Sequence, residues 1–96
     1  MNILEQELTR FEFLQQIEEY SYIPELNVDI AKNYEKIFCV KNCYKIFQVD
    51  NELLFFISEP KFYPKGMTGE IYKVKKIKFD NSSETKQICQ KVISLF

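Results

Sequence analysis

Two β-rich runs joined by a two-residue polar break decide the fold of this chain. The first run is Cys43–Val49 (CYKIFQV), the second is Glu52–Ser58 (ELLFFIS), and Asp50-Asn51 separates them. Because Asp and Asn tolerate the left-handed backbone conformation that tight hairpins need, the stretch predicts an antiparallel hairpin. The second run is apolar without interruption from Leu53 to Ile57, which is typical of a strand covered on both faces. We therefore expect the second strand to lie inside a sheet.

Further strands are predicted on both sides of this hairpin. Upstream, Lys36–Val40 is β-rich and is followed by the polar break Lys41-Asn42, so that three strands form a meander. Downstream, we expect a loop at Lys61–Gly69 and then a fourth strand at Ile71–Phe79. The apolar residues of the fourth strand change parity, and a bulge at Lys75-Lys76 would return them all to one face.

Helices are predicted at both ends of the chain. Residues 3–20 carry apolar side chains at helical spacing, and Asn2 with Glu5 forms an Asn-x-x-Glu capping box at the start. A last helix is expected from residue 83. Residues 25–34 fit both helical and strand spacing, and we treat them as a loop that can hold one helical turn.

A chain of 96 residues has room for one domain, so we expect residues 1–96 to form a single α+β domain. Its predicted architecture is an N-terminal helix, a three-stranded antiparallel meander, a further strand and a C-terminal helix packed on the sheet. The sequence shows no repeat and no linker that would divide this domain.

The composition excludes several kinds of chemistry. The chain has no His, which removes imidazole bases, His metal ligands and His-activated nucleophiles. Three Cys cannot close a zinc site unless a carboxylate contributes, so we expect no metal, no cofactor and no catalytic residue. No apolar run reaches the length of a membrane span, and the first ten residues lack a signal-peptide pattern. Together with the odd number of Cys, this predicts a cytoplasmic protein with reduced thiols and no membrane partner.

The hairpin register assigns side chains to the two faces of the sheet. With a two-residue turn, Val49 lies opposite Glu52, and one face collects apolar residues that the N-terminal helix is expected to cover. The other face alternates Lys and Phe, and it includes Phe38, Lys45, Phe47 and Phe56. Two interpretations stay open. Either the C-terminal helix covers this second face, or the face is an exposed apolar patch that binds a partner or a second copy of the chain.

Charge is distributed unevenly along the sequence. Residues 1–30 contain seven acids and one Arg, for a net charge of −6, whereas residues 61–96 contain eight Lys and three acids, for +5. Such asymmetry indicates either an acidic and a basic surface or two segments that neutralise each other in the fold. The candidate partner contacts in the acidic N-terminal segment are Glu5, Glu12 and Glu19. Those in the basic C-terminal segment are Lys73, Lys75 and Lys76.

The Lys-rich strand at residues 72–78 has two interpretations of its own. Basic strands with aromatic neighbours suit single-stranded nucleic acid, and an aromatic-basic stretch precedes this one at residues 61–65. Lys side chains also protect edge strands from pairing edge to edge. The pI of about 5.5 and the single Arg favour edge protection.

The sequence contains no catalytic motif, so we expect the protein to bind another macromolecule. The favoured hypothesis is a small non-enzymatic inhibitor of the toxin-immunity or anti-defence kind, which neutralises a partner such as a toxin or nuclease by covering its site. The alternatives are a single-stranded nucleic-acid-binding module that uses residues 72–78, and a small enzyme that uses Lys45 with Tyr44 or Glu52. The predicted partner contacts are Glu5, Glu12, Glu19, Phe38, Lys45, Phe47, Phe56, Lys73, Lys75 and Lys76.

Overall fold

A computed structural model describes residues 2–66 and 68–79 of the chain. The order of elements is β1 (Asn2–Leu8), α1 (Arg10–Glu19), α2 (Val28–Ile37), β2 (Cys43–Val49), β3 (Glu52–Phe62) and β4 (Thr68–Lys78). The four strands form one sheet in the order β1-β4-β3-β2, and every neighbouring pair is antiparallel. The α+β class is therefore confirmed, whereas the order of helices and strands differs from the predicted one.

The described helices lie on opposite faces of the sheet, because alternate residues of β3 pack against different helices. Leu54 and Phe56 pack with Phe13 of α1, and Leu53 and Phe55 pack with Tyr34 of α2. Every residue from Leu53 to Ile57 is buried. The prediction that this strand lies inside the sheet with both faces covered is confirmed. In the described part of the chain, neither helix is long and apolar enough to cross a membrane.

The chain before α1 is a strand, so the helix predicted for residues 3–20 is wrong in its first half. Helix α1 begins after Thr9, whose Oγ1 accepts a hydrogen bond from the Glu12 backbone N–H (3.2 Å), while the Glu12 carboxylate accepts one from the Thr9 N–H (3.1 Å). The sequence therefore holds two capping-box patterns, one at Asn2 and one at Thr9. The pattern at Asn2 does not start a helix, because residues 2–8 form a strand that pairs with β4 along its whole length.

Helix α2 spans most of residues 25–34, whose spacing fits both a helix and a strand, and it continues into the strand predicted at Lys36–Val40. Asn27 caps its start by accepting a hydrogen bond from the Asp29 N–H (2.9 Å). The strand predicted at Lys36–Val40 is wrong, since these residues end the helix instead. The Val40 N–H donates to the carbonyl of Glu35 (2.8 Å), as in a Schellman cap. The meander is therefore β2-β3-β4.

The β2–β3 hairpin has the predicted register, with Val49 opposite Glu52. Between them, Asp50 has a φ of 52°, which is the left-handed conformation expected for this break. The bulge predicted at Lys75-Lys76 is wrong, because β4 pairs with both neighbours in unbroken register. No bulge is needed, since a strand covered on both faces can bury side chains of both parities. The helix predicted from residue 83 lies outside the described residues.

Strands β3 and β4 extend well beyond their neighbours. Pairing with β2 ends at Ile57 and pairing with β1 ends at Tyr72, whereas β3 and β4 continue to pair as far as Phe62 and Thr68. The loop predicted at Lys61–Gly69 is thus shorter than expected. We call the projecting part the arm. It comprises Glu59–Phe62, Thr68–Ile71 and the connecting residues 63–66.

Candidate interaction surface

The aromatic patch predicted on the second sheet face is buried. Phe47 and Phe56 are 5% and 0% exposed, and α1 covers them, with the Phe13 ring centroid 5.7 Å from Phe56 and the Tyr20 centroid 5.4 Å from Phe47. The exposed-patch interpretation is therefore wrong for these two rings. Helix α1 covers these rings, and the helix predicted from residue 83 lies outside the described residues.

Phe38 and Lys45 were predicted to share that patch, and the structure separates them from it. Phe38 follows α2 and packs on the opposite face of the sheet, with its ring centroid 6.1 Å from that of Phe55. Lys45 is partly exposed on β2, where its Nζ lies 3.7 Å from Oε1 of Glu25. The candidate contacts therefore do not form a single aromatic surface.

The three acidic candidates lie on two different elements. Glu5 is on β1, with Oε1 3.5 Å from Nζ of Lys73, whereas Glu12 and Glu19 are on α1. Hydrogen bonds from the backbone and side chain of Thr9 hold the pKa of Glu12 below its usual value. Glu12 therefore serves its own helix as a cap, and Glu19 is exposed at the helix end.

The basic strand β4 is not an edge strand, so the edge-protection interpretation is wrong. It lies between β1 and β3. Lys73 is held between Glu59 (3.6 Å) and Glu5 (3.5 Å), and the charges of Glu59 and then Glu5 raise its pKa. Lys75 donates a hydrogen bond to the carbonyl of Phe38 at the end of α2 (3.3 Å).

The lysines of β4 also point to different faces of the sheet. Lys75 lies opposite Phe55, which packs on α2, whereas Lys76 lies opposite Leu54, which packs on α1. Residues 72–78 therefore present no continuous basic stripe on one face.

A cavity lies beside β2. It has a volume of about 300 Å³ and is open to solvent between α2, the loop before it and Cys43–Phe47. Burial, and then the nearby Glu35, raise the pKa of the Cys43 thiol to about 12, so this sulfur is protonated at neutral pH. Among residues 2–66 and 68–79, no cluster of three or more Cys, Asp or Glu could hold a metal ion.

The arm carries two exposed rings that are not among the predicted partner contacts. Phe62 is 77% exposed and Tyr63 is 45% exposed. The ammonium of Lys61 lies 5.4 Å from the centre of the Tyr63 ring. Gly69 allows this ring to lie close to the opposite strand, because a Cβ there would lie 3.0 Å from Cε2 of Tyr63.

The root of the arm is held firmly by the domain. The ring centroid of Tyr72 is 5.0 Å from that of Phe13, and the Tyr72 hydroxyl donates to the Glu70 carboxylate. On the other face, Glu59 pairs with Lys73. The arm therefore presents an exposed aromatic and basic tip on an anchored base. The sequence contains a signal for this tip, since residues 60–69 include two Lys, Phe62 and Tyr63 but no acidic residue.

Comparison of the chain with protein-family models, with curated proteins and with solved structures found no match. The candidate surface therefore rests on its own geometry.

Proposed function

We propose that the protein is a small non-enzymatic inhibitor of the toxin-immunity or anti-defence kind, and that the arm is its main contact with the partner protein. The observation that supports this proposal is the exposure of Phe62 and Tyr63 at the end of a two-stranded arm outside the core. The partner is a toxin, a nuclease or another protein whose site the inhibitor covers.

The exposed rings contribute little to the stability of the protein itself. Burial of one such ring against a partner contributes about 2–3 kcal/mol, whereas the Phe62 ring gains almost none of this in the free protein. Aromatic residues surrounded by a polar rim are the commonest energetic centres of protein interfaces. A ring at the tip of an arm can enter a cleft of a partner without rearrangement of the domain that carries it.

The placement of the charged side chains supports binding rather than turnover. Lys73, Lys75 and Glu12 make ion pairs or hydrogen bonds that stabilise the fold. Glu18 and Glu19 lie exposed on α1, and the first thirty residues carry a net charge of −6. We propose that this acidic end accelerates association with a basic partner at low ionic strength.

The proposal is tested with the double variant Phe62→Ser/Tyr63→Ser and the matched control Tyr22→Ser. Tyr22 is 76% exposed, so its replacement removes a comparable exposed ring outside the arm. Wild-type protein should recover one dominant protein from the cells that encode it, and the purified pair should bind in a 1:1 ratio by calorimetry. We expect the arm variant to bind at least about 100-fold more weakly, while the control binds normally.

Equal binding by the arm variant and the wild type would contradict the role of the arm. Multiple turnover of any substrate by the purified chain, abolished by one substitution, would contradict the non-enzymatic function as a whole.

A second candidate function is the binding of single-stranded nucleic acid, and the arm tip favours it more than β4 does. Lys61, Tyr63 and Lys65 combine cations with a ring on which a base can stack. Under this alternative, Lys61→Glu/Lys65→Glu should abolish the fluorescence anisotropy change of a labelled oligonucleotide at low salt. Under the inhibitor proposal, the wild type should show no such change.

A further inference from the structure

Between α1 and α2 the chain crosses from one face of the sheet to the other around the edge at β2. Ile23 packs with the α1 side of the core, whereas Leu26 packs with the α2 side. Between them, the Glu25 carboxylate lies 3.7 Å from the ammonium of Lys45 on β2. A cavity of about 300 Å³ remains between this crossing segment, α2 and the edge strand.

The walls of the cavity are largely apolar. Its apolar lining includes Leu26, Val28, Ala31, Ile46 and Phe47. Val28 is 64% exposed at the start of α2, so its side chain gains little from packing in the free protein. The Cys43 thiol adds a neutral group, because burial and then the charge of Glu35 raise its pKa to about 12. Cavities of this size, with an apolar lining and a few polar groups, are typical of small-molecule sites.

The charged groups that line the cavity are incompletely paired. Glu35 is half-buried on α2, and among the described residues no Lys or Arg forms an ion pair with its carboxylate. Lys32 is exposed one turn earlier on α2 and forms no ion pair with the described residues. Lys45 pairs with Glu25, whose side chain is 85% exposed, and such an exposed pair contributes little. The cavity therefore offers a carboxylate to a cation and ammonium groups to an anion.

We propose that this cavity binds a free α-amino acid with an apolar side chain, such as leucine. Its ammonium group pairs with Glu35, its carboxylate replaces Glu25 at Lys45, and its side chain packs on the apolar lining. Both charged groups line one cavity of about 300 Å³, so a small molecule can reach both. A simple amine or a simple acid would leave one charge of the cavity unmatched. The site uses no residue of the arm and is independent of the proposed inhibitor function.

The binding should be weak, because the cavity is open to solvent and the ligand is small. A ligand of this size loses much of its interaction energy to the cost of association, so we expect a dissociation constant of about 0.1–5 mM. Such an affinity is suited to a metabolite that is abundant in the cell.

The first experiment titrates the untagged full-length chain, labelled at its methyl groups, with L-leucine up to about 50 mM in an NMR measurement. We expect saturable shifts of the methyl signals of Leu26, Ala31 and Ile46, which line the cavity. The methyl signals of Leu8 and Val74, in the core under α1, should not move.

Two analogues of leucine test the two charges separately. Isocaproate has the same apolar group and carboxylate but no ammonium, and isoamylamine has the ammonium but no carboxylate. Each should bind at least about 10-fold more weakly than leucine, because each loses one charge-assisted contact.

The second experiment changes the protein. Glu35→Gln removes the charge and keeps the size of the side chain, and it should weaken leucine binding at least about 10-fold. Glu18→Gln is the matched control at an exposed position of α1 and should bind normally. Ala31→Leu fills the cavity from α2 and should abolish binding. Unchanged methyl signals of Leu8 and Val74 show that a variant is folded, and Glu35→Gln tests the site even if Ala31→Leu does not fold.

The absence of saturable shifts at the cavity methyl groups would overturn the proposal. Equal affinity for leucine and for either analogue would also overturn it, because the cavity would then not recognise both charges. Unweakened binding to folded Glu35→Gln would have the same consequence.

Discussion

Among residues 2–66 and 68–79, three residues other than Gly adopt a positive φ, and each lies where a helix or strand begins or ends. They are Cys39 (54°), Asn42 (57°) and Asp50 (52°). Asn and Asp tolerate this conformation, whereas Cys has no side-chain hydrogen bond that compensates for the steric strain. Cys39 occupies the position after the α2 cap that natural helices usually give to Gly.

At this position we predict that Cys39→Gly stabilises the protein. Removal of the Cβ relieves the left-handed strain, and the free energy of unfolding should rise by about 1 kcal/mol. The measurement is the midpoint of urea unfolding, with Cys39→Ala as the control that retains the Cβ. A midpoint for Cys39→Gly at or below that of Cys39→Ala would show that the strain is not there.

A second residue-scale prediction concerns the two described thiols. Cys39 is exposed, whereas Cys43 is partly buried with a pKa raised to about 12. In a Cys89→Ser background at pH 8, iodoacetamide should alkylate Cys39 at least about 10-fold faster than Cys43, because the thiolate is the nucleophile. Peptide mass spectrometry gives both rates. In urea the two rates should converge, and a difference that persists there would contradict the folded environment as its cause.

The raised pKa of Cys43 also implies a direction for the effect of pH on stability. The folded protein retains a proton that the unfolded chain releases above the usual value of 9.0. The contribution to stability is complete below about pH 9, and it is lost as the pH rises towards about 12. In Cys43→Ala this part of the alkaline loss should be absent, as measured by urea unfolding at pH 8 and pH 10.

At the scale of elements, α1 covers the sheet with aromatic contacts. Phe13 and Tyr20 both reach Phe56, whose ring centroid lies 5.6 Å from that of Phe47 in an edge-to-face arrangement. Such pairs prefer tilted or edge-to-face geometry. Because of this cluster, Phe47 of β2 and Phe56 of β3 are buried inside the protein and are not exposed to a partner.

For the same substitution, the buried and the projecting parts of β3 predict effects of very different size on the free energy of unfolding. Phe56→Ala removes a ring that is fully buried, and it should lower the free energy of unfolding by about 3–5 kcal/mol. Phe62→Ala, on the same strand but in the arm, should change it by less than about 0.5 kcal/mol. Urea unfolding of both variants makes the comparison. Similar losses at the two positions would mean that the Phe62 ring is packed in solution.

At the scale of the whole molecule, the sheet combines a covered centre with an uncovered arm. Backbone amides of Leu53–Ile57 lie between β2 and β4 under both helices, whereas among the described strands Glu59–Phe62 pair with β4 alone. Isolated two-stranded hairpins are marginally stable in water. The arm therefore depends on its anchored root for its order.

Hydrogen exchange should reveal this gradient. We predict that amides of the arm exchange at least about 1000-fold faster than those of Leu53–Ile57, because local opening of the arm breaks few buried contacts. Exchange measured by mass spectrometry on overlapping peptides gives both rates. When a partner that buries Phe62 is added, amide exchange in the arm should become slower, whereas amide exchange in β1 should not change. Slowing at β1 alone would place the partner elsewhere.

The predictability of this fold follows the range of the interactions that form each element. The β2–β3 hairpin and the buried character of Leu53–Ile57 could be predicted, because a local turn and a local apolar run determine them. The strand β1 could not, because its pairing with β4 joins residues about seventy positions apart. The same separation in sequence made the ion pair between Glu5 and Lys73 unpredictable. Because these two side chains pair with each other, they are not free charges of the kind that the sequence analysis assigned to partner binding.

The sequence by itself determined the turn at Asp50-Asn51 and the buried character of the strand that follows it, since each depends on residues within a few positions of one another. Only the tertiary structure decided which rings are buried and which strands form the edges. Burial and edge position are properties of how distant segments pack, and one residue pattern fits several packings. In the described part of the chain, the helix on each face buries the predicted aromatic patch, β1 forms one edge of the sheet, and continued pairing of β3 with β4 carries the arm beyond the core.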